Sequence, residues 1–422
     1  MIPEIKQRIE QIQRGEVPEG YKKEKRYIIP VNWCQKKLSD LGIWVGGGTP
    51  AKSNQEYWEN GTIYWISSQD VKETILSKTT YKITEKALQE STTNLVPENT
   101  IIIVVRSGIL QHTLPVAKTK KPMAINQDIK ALILNDPTDI DYVINAIKSF
   151  DATILKEYTK KGTTVESLLF DAFSNFLIPY ALENERAKIA AILVAQDKII
   201  KLKEKLLAEK QHQKKYLMQQ LLTGKRRLPG FSGEWGCERL GKLFYERKET
   251  NCETLEMLAI TGTQGIIPRK ELNLKDNSSE DKSKYLKICV GDIGYNTMRM
   301  WQGVSAYSNY EGIVSPAYTI LKPNHNINAK YFAYLFKMPE MVFLFYRFSQ
   351  GLVDDTRNLK YENFKKIKVL YSKDEKEQTA IVEVLSTADH EIDLLQKNIE
   401  QEKQKKKALM QLLLTGIVRV NI

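Results

Sequence analysis

The chain has 422 residues, of which 42% are hydrophobic and 27% charged, a balance typical of globular domains, and this length predicts two or three of them. No apolar run is long enough to span a bilayer and the charged N-terminus has no secretory core, which excludes a membrane protein and predicts a cytoplasmic one. The net charge of +12 favours a polyanionic partner. The four cysteines form no CxxC pair and do not cluster with histidines, so no metal site is predicted.

The chain begins with a predicted arm, residues 1–31. It comprises a short amphipathic helix and the basic segment YKKEKR, Tyr21–Arg26. A similar basic segment, GKRRLPGFSGEW, spans Gly224–Trp235, and Trp33 aligns with Trp235. We expect both tryptophans to be core anchors where each globular block begins.

Two globular blocks follow the two basic segments. The first spans residues 32–182 and the second residues 225–375, and each mixes short apolar runs with amphipathic stretches. This pattern predicts mixed α/β domains. The predicted strands are Thr100–Val105, Ala131–Leu134, Ile288–Val290 and Ala317–Leu321, and the predicted helices are Asp139–Phe150 and Ala329–Phe336.

A long helix is predicted after each block, over residues 183–224 and 376–422. The two helices end in LMQQLLTG and LMQLLLTG, at an offset of 192 residues, and 16 of 40 aligned positions are identical. Gly224 and Gly416 are expected to be the helix C-caps. This internal repeat indicates two copies of one plan, each a globular domain followed by a helix.

Each long helix carries an apolar stripe at heptad spacing, which predicts that the helices pair as a coiled coil. The position of a block before each helix favours an antiparallel pair with pseudo-twofold symmetry, although a parallel pair stays open. The polar stretches Lys210–Lys215 and Glu402–Lys407 are either solvated helix faces or DNA-facing patches. The predicted seam residues are Ile192, Ala195, Ile199, Leu202 and Leu206 in the first helix and Ile381, Leu385, Ala388, Ile392, Leu395 and Ile399 in the second.

Three features resemble the specificity subunits of type I restriction–modification enzymes. The stretch GGTPAKSNQEYWENGTIYWISSQDV, Gly47–Val71, resembles the start of a target-recognition domain in that family. The stretch from Val290 to Pro323, with GD and SPAY, resembles a later part of the same domain. The helices ending in LLTG, followed by a basic Trp-containing segment, are similar to the family's spacer regions. The resemblance covers essentially the whole chain.

The resemblance implies a non-catalytic DNA-binding subunit. Each target-recognition domain would read one half of a bipartite asymmetric site. The helix pair would set the spacing and dock two methyltransferase subunits and the restriction subunits. The chain itself would hold no cofactor; the methyltransferase partner would bind S-adenosylmethionine, and the restriction partner would use ATP and Mg.

Candidate DNA-contacting residues occupy polar loops at strand exits, where side chains can meet phosphates and base edges. In the basic segments a second set would contact phosphate or partner subunits. The first set is Arg106, Ser107, Gln111, His112, Gln127, Lys160, Lys161 and Thr163 in block one, with Arg299, Trp301, Gln302, Arg347, Gln350 and Arg357 in block two. The second set is Lys22, Lys23, Lys25, Arg26, Lys225, Arg226 and Arg227.

Two alternative functions compete with this one. An amino-methyltransferase would need an Asn/Asp-Pro-Pro-aromatic segment, whereas the sequence offers only NDP at Asn135–Pro137 and IPY at Ile178–Tyr180. A coiled-coil scaffold with two domains that bind something other than DNA is the second alternative. The pseudo-symmetric seam also raises the possibility that the isolated chain self-associates.

Overall fold

The computed structural model describes residues 3–160, 165–262, 264–272 and 281–420. The chain divides into two compact units, Met1–Lys203 with Asn398–Ile422, and Glu204–Lys397. Each unit therefore contains one globular block and a part of both long helices. Among the described residues, no helix is both long and apolar enough to cross a membrane. The helices are α1 Pro3–Gln13, α2 Glu85–Glu90, α3 Ile140–Ser149, α4 Asp151–Tyr158, α5 Phe170–Ser174, α6 Glu183–Leu221, α7 Leu240–Leu243, α8 Ala329–Leu335, α9 Pro339–Phe348, α10 Tyr361–Phe364 and α11 Glu375–Leu413.

The first unit is built on a five-stranded and a four-stranded sheet, in the orders β4-β12-β9-β10-β6 and β7-β5-β11-β8. Strand pairs β1-β2, β3-β15 and β13-β14 accompany them. The bounds are β1 Tyr21–Glu24, β2 Tyr27–Pro30, β3 Cys34–Lys37, β4 Gly42–Gly46, β5 Ile63–Ile66, β6 Ile75–Leu76, β7 Tyr81–Ile83, β8 Asn94–Val96, β9 Ile101–Val104, β10 Val116–Thr119, β11 Met123–Ile125, β12 Ile129–Leu134, β13 Thr159–Lys160, β14 Ser167–Leu168 and β15 Leu177–Tyr180.

The apolar run of β9 explains why this strand lies at the centre of the first unit. Alternate side chains of a strand point to opposite faces of its sheet. Ile101 and Ile103 join the cluster around α3, whereas Ile102 and Val104 join the core that also contains residues of the four-stranded sheet. A strand buried on both faces must be apolar at every position, which is the signal that the sequence carried.

The second unit has a four-stranded antiparallel sheet in the order β17-β24-β21-β22, with the pairs β16-β25, β18-β19 and β20-β23. Its core is aromatic, with Phe244, Phe332 and Phe336 packed edge to face or tilted. The bounds are β16 Trp235–Arg239, β17 Phe244–Arg247, β18 Leu258–Ile260, β19 Ile266–Pro268, β20 Leu286–Ile288, β21 Ile293–Asn296, β22 Ser305–Tyr307, β23 Gly312–Val314, β24 Tyr318–Pro323 and β25 Lys368–Ser372.

The predicted strand Ile288–Val290 lies two residues too late. The strand ends at Ile288, and a turn follows in which the Asp292 amide donates to the Cys289 carbonyl at 3.1 Å. The long helices end at Leu221 and Leu413, shortly before the predicted caps. Gly224 (φ +72°) and Gly416 (φ +74°) adopt the left-handed conformation that favours glycine at a C-cap.

In both units the segments of α6 and α11 contact each other with opposite chain directions. In the first unit, Lys406 donates to Asp197 at 2.6 Å and Lys203 donates to Glu402 at 2.7 Å. In the second unit, Lys210 donates to Glu391 at 2.7 Å and Lys214 pairs with Asp389. Residue numbers thus rise on one helix as they fall on the other. Lysines of both polar stretches are engaged in these interhelical ion pairs.

The predicted seam of the first long helix is wrong by one position. Ile192, Ile199 and Leu202 are exposed. The buried positions are instead Ile189, Leu193, Gln196 and Ile200, which have the same heptad spacing. The hydrophobic pattern predicted the wrong stripe for the helix interface, because the stripe that faces the opposite helix includes polar residues whose side chains bond that helix. The second helix follows its prediction at Ile381, Leu385 and Ile399, which are buried.

Candidate nucleic-acid interface

In the first unit, three predicted loops meet at one edge of the five-stranded sheet. The Val105 amide at the end of β9 donates to the Asp128 carbonyl at 2.9 Å, beside Gln127. The Leu168 amide of β14 donates to the Val105 carbonyl at 2.8 Å, and Arg106 forms an isolated bridge with Ser167. The structure therefore brings together the β9 exit, the Gln127 turn and the strand pair β13-β14, which carries Lys160.

The side chains at this edge are mostly free to meet a ligand. Arg106, Gln111, His112, Gln127 and Lys160 are exposed, and Ser107 is half-buried. The turn that holds Gln111 and His112 is fixed by the His112 amide, which donates to the Ile109 carbonyl at 2.9 Å. The predicted residues Lys161 and Thr163 lie outside the described residues.

In the second unit, the predicted residues group around α9 and the exit of β21. The Trp301 indole donates to the Met298 carbonyl at 2.9 Å, and its ring lies 6.2 Å from that of Tyr346. The Arg357 guanidinium lies 4.0 Å from the centre of the Tyr346 ring and donates to its hydroxyl at 3.2 Å. Arg299 and Gln302 are exposed beside this group.

A closed loop, residues 350–358, completes the group in the second unit. Gln350 and Asn358 exchange two backbone hydrogen bonds of 2.7 Å, so the loop returns on itself. The next residue, Leu359, donates its amide to the Thr297 carbonyl at 2.8 Å, which places the loop against the β21 exit. Leu352 at the loop tip is fully exposed (100%). Arg347, in the last turn of α9, lies over Phe343.

Within the basic segments, three of the seven predicted residues are engaged inside their own unit. Arg26 donates two hydrogen bonds to Glu157, of 2.6 and 2.8 Å, which raise the pKa of its guanidinium. Arg227 pairs with the buried Glu377 and lies over Trp235. Lys22 pairs with Glu24. Four residues remain exposed and suited to phosphate or partner contact: Lys23, Lys25, Lys225 and Arg226.

Sequence reasoning missed a cavity of about 690 Å³ in the first unit. Its walls include Trp58, Trp65 and Tyr81, and Gln127 is at its rim. Trp58 lies edge-on to both other rings, at 5.3 Å from Trp65 and 6.2 Å from Tyr81. The aromatic residues of the Gly47–Val71 motif were the available signal.

Backbone contacts of the GGTP segment hold this cavity in shape. The Trp65 indole donates to the Gly48 carbonyl at 3.1 Å and the Trp58 indole to the Ala51 carbonyl at 3.2 Å. A Cβ at Gly48 would lie 2.0 Å from Thr92 Oγ1, so a larger residue does not fit. Burial alone would raise the pKa of Asp70, but its hydrogen bonds from Ser67 and Thr80 outweigh burial and lower it, so the loop carries a fixed carboxylate.

Comparison with known proteins gives a matching family for one part of the chain. Residues 30–210 match the family model described as "Type I restriction modification DNA specificity domain". The chain is 42% identical over 163 residues to the EcoR124I/EcoR124II specificity subunit of Escherichia coli, a match that covers 39% of this chain and 40% of that protein. It is 32% identical over 183 residues to the MjaIX specificity subunit of Methanocaldococcus jannaschii, covering 42% and 40%. The matches thus span about two fifths of these curated relatives.

Two solved structures share the fold over nearly the whole chain. One is the type I restriction-modification S subunit from M. genitalium, with a TM-score of 0.56, 17% identity and coverage of 93% of this chain and 98% of that one. The other is a chain from a study of complex assembly and conformational transition of the type I R-M system, with a TM-score of 0.57, 15% identity and coverage of 93% and 100%. The mixed α/β fold with two long helices is therefore confirmed.

Proposed function

We propose that this chain, whose residues 30–210 carry a type I restriction modification DNA specificity domain, is the DNA-reading specificity subunit of a type I restriction–modification complex. The observation that carries the proposal is this match together with the convergence of the predicted loops at one edge of the first unit. The chain would recognise DNA without chemistry of its own, and its partners would supply methyl transfer and cleavage.

Each unit would read one half of a bipartite asymmetric DNA site. The two candidate surfaces differ in chemistry, since the first presents amide and basic side chains and the second an aromatic and guanidinium group. Different surfaces on a repeated plan suit two different half-sites. Arg299, Arg347 and Arg357 would recognise guanine or phosphate, and Gln127, Gln302 and Gln350 would recognise adenine.

The long helices would pair as an antiparallel coiled coil with pseudo-twofold symmetry. The interhelical ion pairs within each unit and the 192-residue repeat support this arrangement. Such a pair would fix the distance between half-sites. It would also dock two methyltransferase subunits, which bind S-adenosylmethionine, and restriction subunits, which use ATP and Mg.

The exposed stripe Ile192, Ile199 and Leu202 supports the docking part of this proposal. Apolar residues at heptad spacing on an outward helix face are suited to packing against another helix. Leu202 is 56% exposed. The variant Leu202→Asp should therefore lose the methyltransferase in co-purification while its fold is unchanged, because this side chain contributes little to the core. Lys198→Asp, on a neighbouring exposed position, is the matched control and should retain the partner.

The test of the whole proposal is co-expression of this chain with the methyltransferase encoded beside its gene. A complex of two methyltransferases per chain that modifies one split asymmetric sequence would support it. Methyl transfer from S-adenosylmethionine by the isolated chain would contradict it.

The scaffold alternative is tested by salt dependence. Several phosphate contacts make DNA affinity fall steeply as salt rises. A flat response, or binding without sequence preference, would favour a coiled-coil scaffold whose domains bind something other than DNA.

A further inference from the structure

Resting on the proposed DNA-binding function, we propose that the aromatic cavity of the first unit binds a nucleobase unstacked from the DNA. Trp58 and Tyr81 are nearly perpendicular, at 81°, and form a corner. A flat ring can stack on one wall of such a corner while its edge meets the other. The volume of about 690 Å³ lies in the usual range of small-molecule sites, about 300–1,000 Å³.

The polar rim of the cavity suits the edge of a base. The Gln127 carbonyl accepts from Thr49 at 2.6 Å, which orients the amide, and its amino group lies 3.4 Å from Asp128. An amide offers two donor hydrogens and two acceptor lone pairs, so capacity remains for a ligand. Ser68 and Gln69 also line the rim. Stacking between aromatic side chains with hydrogen bonds to the base edge is how proteins hold bases taken out of a helix.

The positive charge of Lys52 favours a nucleotide over a cationic ligand in this cavity. Aromatic corners with nearby carboxylates also bind ammonium groups, and Asp128 lines this cavity. However, Lys52 is at the same rim, and the carboxylate of Asp70, the residue after the lining residue Gln69, is already bonded to Ser67 and Thr80. A cation would meet the lysine, whereas a nucleotide phosphate would be attracted to it. The charges therefore favour a nucleotide.

The position of the cavity connects it to the candidate DNA surface. It lies where the parallel strands β5 and β11 end, at Ile66 and Ile125. Gln127 belongs both to the cavity rim and to the turn whose Asp128 carbonyl bonds the β9 exit. A base that left a duplex held at this edge would therefore meet the cavity at Gln127.

The experiment compares Tyr81→Ala with Tyr245→Ala in the full chain, alone and with its methyltransferase partner. Both tyrosines are in strands and half exposed, at 51% and 52%, so neither change should unfold the protein. In one arm, the four deoxynucleoside monophosphates are titrated and tryptophan fluorescence is followed. In the other, duplexes of the recognised sequence carry a single mismatch, moved one position at a time.

Unstacking a paired base costs about a few kcal/mol, and a mismatch lowers this cost. At one position it should tighten wild-type and Tyr245→Ala binding about tenfold, and Tyr81→Ala should lose this gain. At least one nucleotide should quench the wild type but not Tyr81→Ala. Gln127→Ala should weaken both the quenching and the gain from the mismatch.

Quenching without duplex binding would support a nucleobase site that takes free nucleotide, and it would contradict the proposed DNA-reading function. Duplex binding with neither quenching nor a favoured mismatch would overturn this inference alone.

Discussion

Arg357 is the best-oriented candidate for base contact, because its guanidinium is held over a ring. It stacks on Tyr346 at 4.0 Å and donates to Asp354 at 3.3 Å, and its side chain is only 15% exposed. A planar guanidinium fixed in this way is pre-organised for two parallel hydrogen bonds. Sequence placed Arg357 in the loop but could not reveal the stacking, which depends on α9 lying beside it.

We predict that Arg357→Ala weakens DNA binding by about 1–3 kcal/mol and relaxes preference at one base position. Arg357→Lys should not restore it, because an ammonium group cannot replace the planar fork. Binding to a library of half-site variants measures both effects. Lys322→Ala, an exposed lysine elsewhere in the unit, is the control. A loss that is equal for all sequences would assign Arg357 to phosphate contact instead.

Two lysines beside the helices, one in each unit, have ammonium groups that are partly removed from water, although Lys148 is half-buried and Lys337 is exposed as whole residues. Burial lowers the pKa of Lys148 to about 8, and Lys406 adds to the effect. In the second unit burial lowers the pKa of Lys337 to about 8, with Lys214 adding to it. Lys148 donates to Thr74 at 2.6 Å and Lys337 to the Gly303 carbonyl at 2.8 Å. Sequence gives no sign of these positions, because the burial comes from contacts between distant segments.

This burial predicts a pH dependence of stability. The unfolded chain keeps a lysine protonated up to its ordinary pKa of 10.5, whereas folded Lys148 loses its proton near pH 8. Between these values the unfolded state binds more protons, so the free energy of unfolding should rise with pH. Urea denaturation at pH 7.5 and pH 9.5 should show a smaller rise in the free energy of unfolding for Lys148→Met than for the wild type. Lys78→Met, a change at an exposed position, should match the wild type. If Lys148→Met also matches the wild type, the pKa of Lys148 is not lowered in the folded protein.

In two of the elements that were predicted correctly from the sequence, every apolar residue of the pattern is buried in the core. The strand Ile101–Val104 is apolar because both faces are covered, and the helix Ile140–Ser149 buries Ile140, Val143 and Ile147 on one face. The first long helix has two candidate stripes, and the more apolar one is exposed. Its inward stripe is stabilised partly by polar pairs, and these are invisible until the partner helix is known.

The pairing of the helices predicts a coupling between Asp197 and Lys406. Lys406 is 15% exposed and contacts both oxygens of Asp197, at 2.6 and 2.7 Å. A double-mutant cycle with Asp197→Asn and Lys406→Gln should give a coupling of about 0.5–1 kcal/mol in chemical denaturation. Asp197→Asn with Lys376→Gln should be additive. Zero coupling in the first pair would show that this ion pair does not stabilise the helix pairing.

At the scale of the whole molecule, the repeat places one buried carboxylate at the start of each long helix. Glu185 (1% exposed) bonds Arg419 and the Trp33 indole, and Glu377 (0% exposed) bonds Arg227. Both pairs keep the 192-residue offset, and in both the arginine lies over a tryptophan. The repeat was readable in sequence, but these contacts required the fold.

Removing either arginine leaves a buried carboxylate without its cation. We predict that Arg419→Ala and Arg227→Ala each destabilise the chain by about 3 kcal/mol. Neutralising both members, as in Glu185→Gln with Arg419→Met, should recover most of the loss, since an uncharged amide can still accept from Trp33. Thermal and chemical denaturation measure these changes. A double variant no more stable than Arg419→Ala would show that packing, not charge, dominates.

The closed loop with Leu352 at its tip has a practical consequence for proteolysis. Loop tips with exposed side chains are preferred sites of nicking. Chymotrypsin, which cleaves after large apolar residues, should cut beside Leu352 early in the free protein. If this loop lies on DNA in the complex, the cut should slow when the recognised duplex is added and not when an unrelated duplex is added. The leucine would then serve as a natural footprinting probe, reporting half-site occupancy without any label.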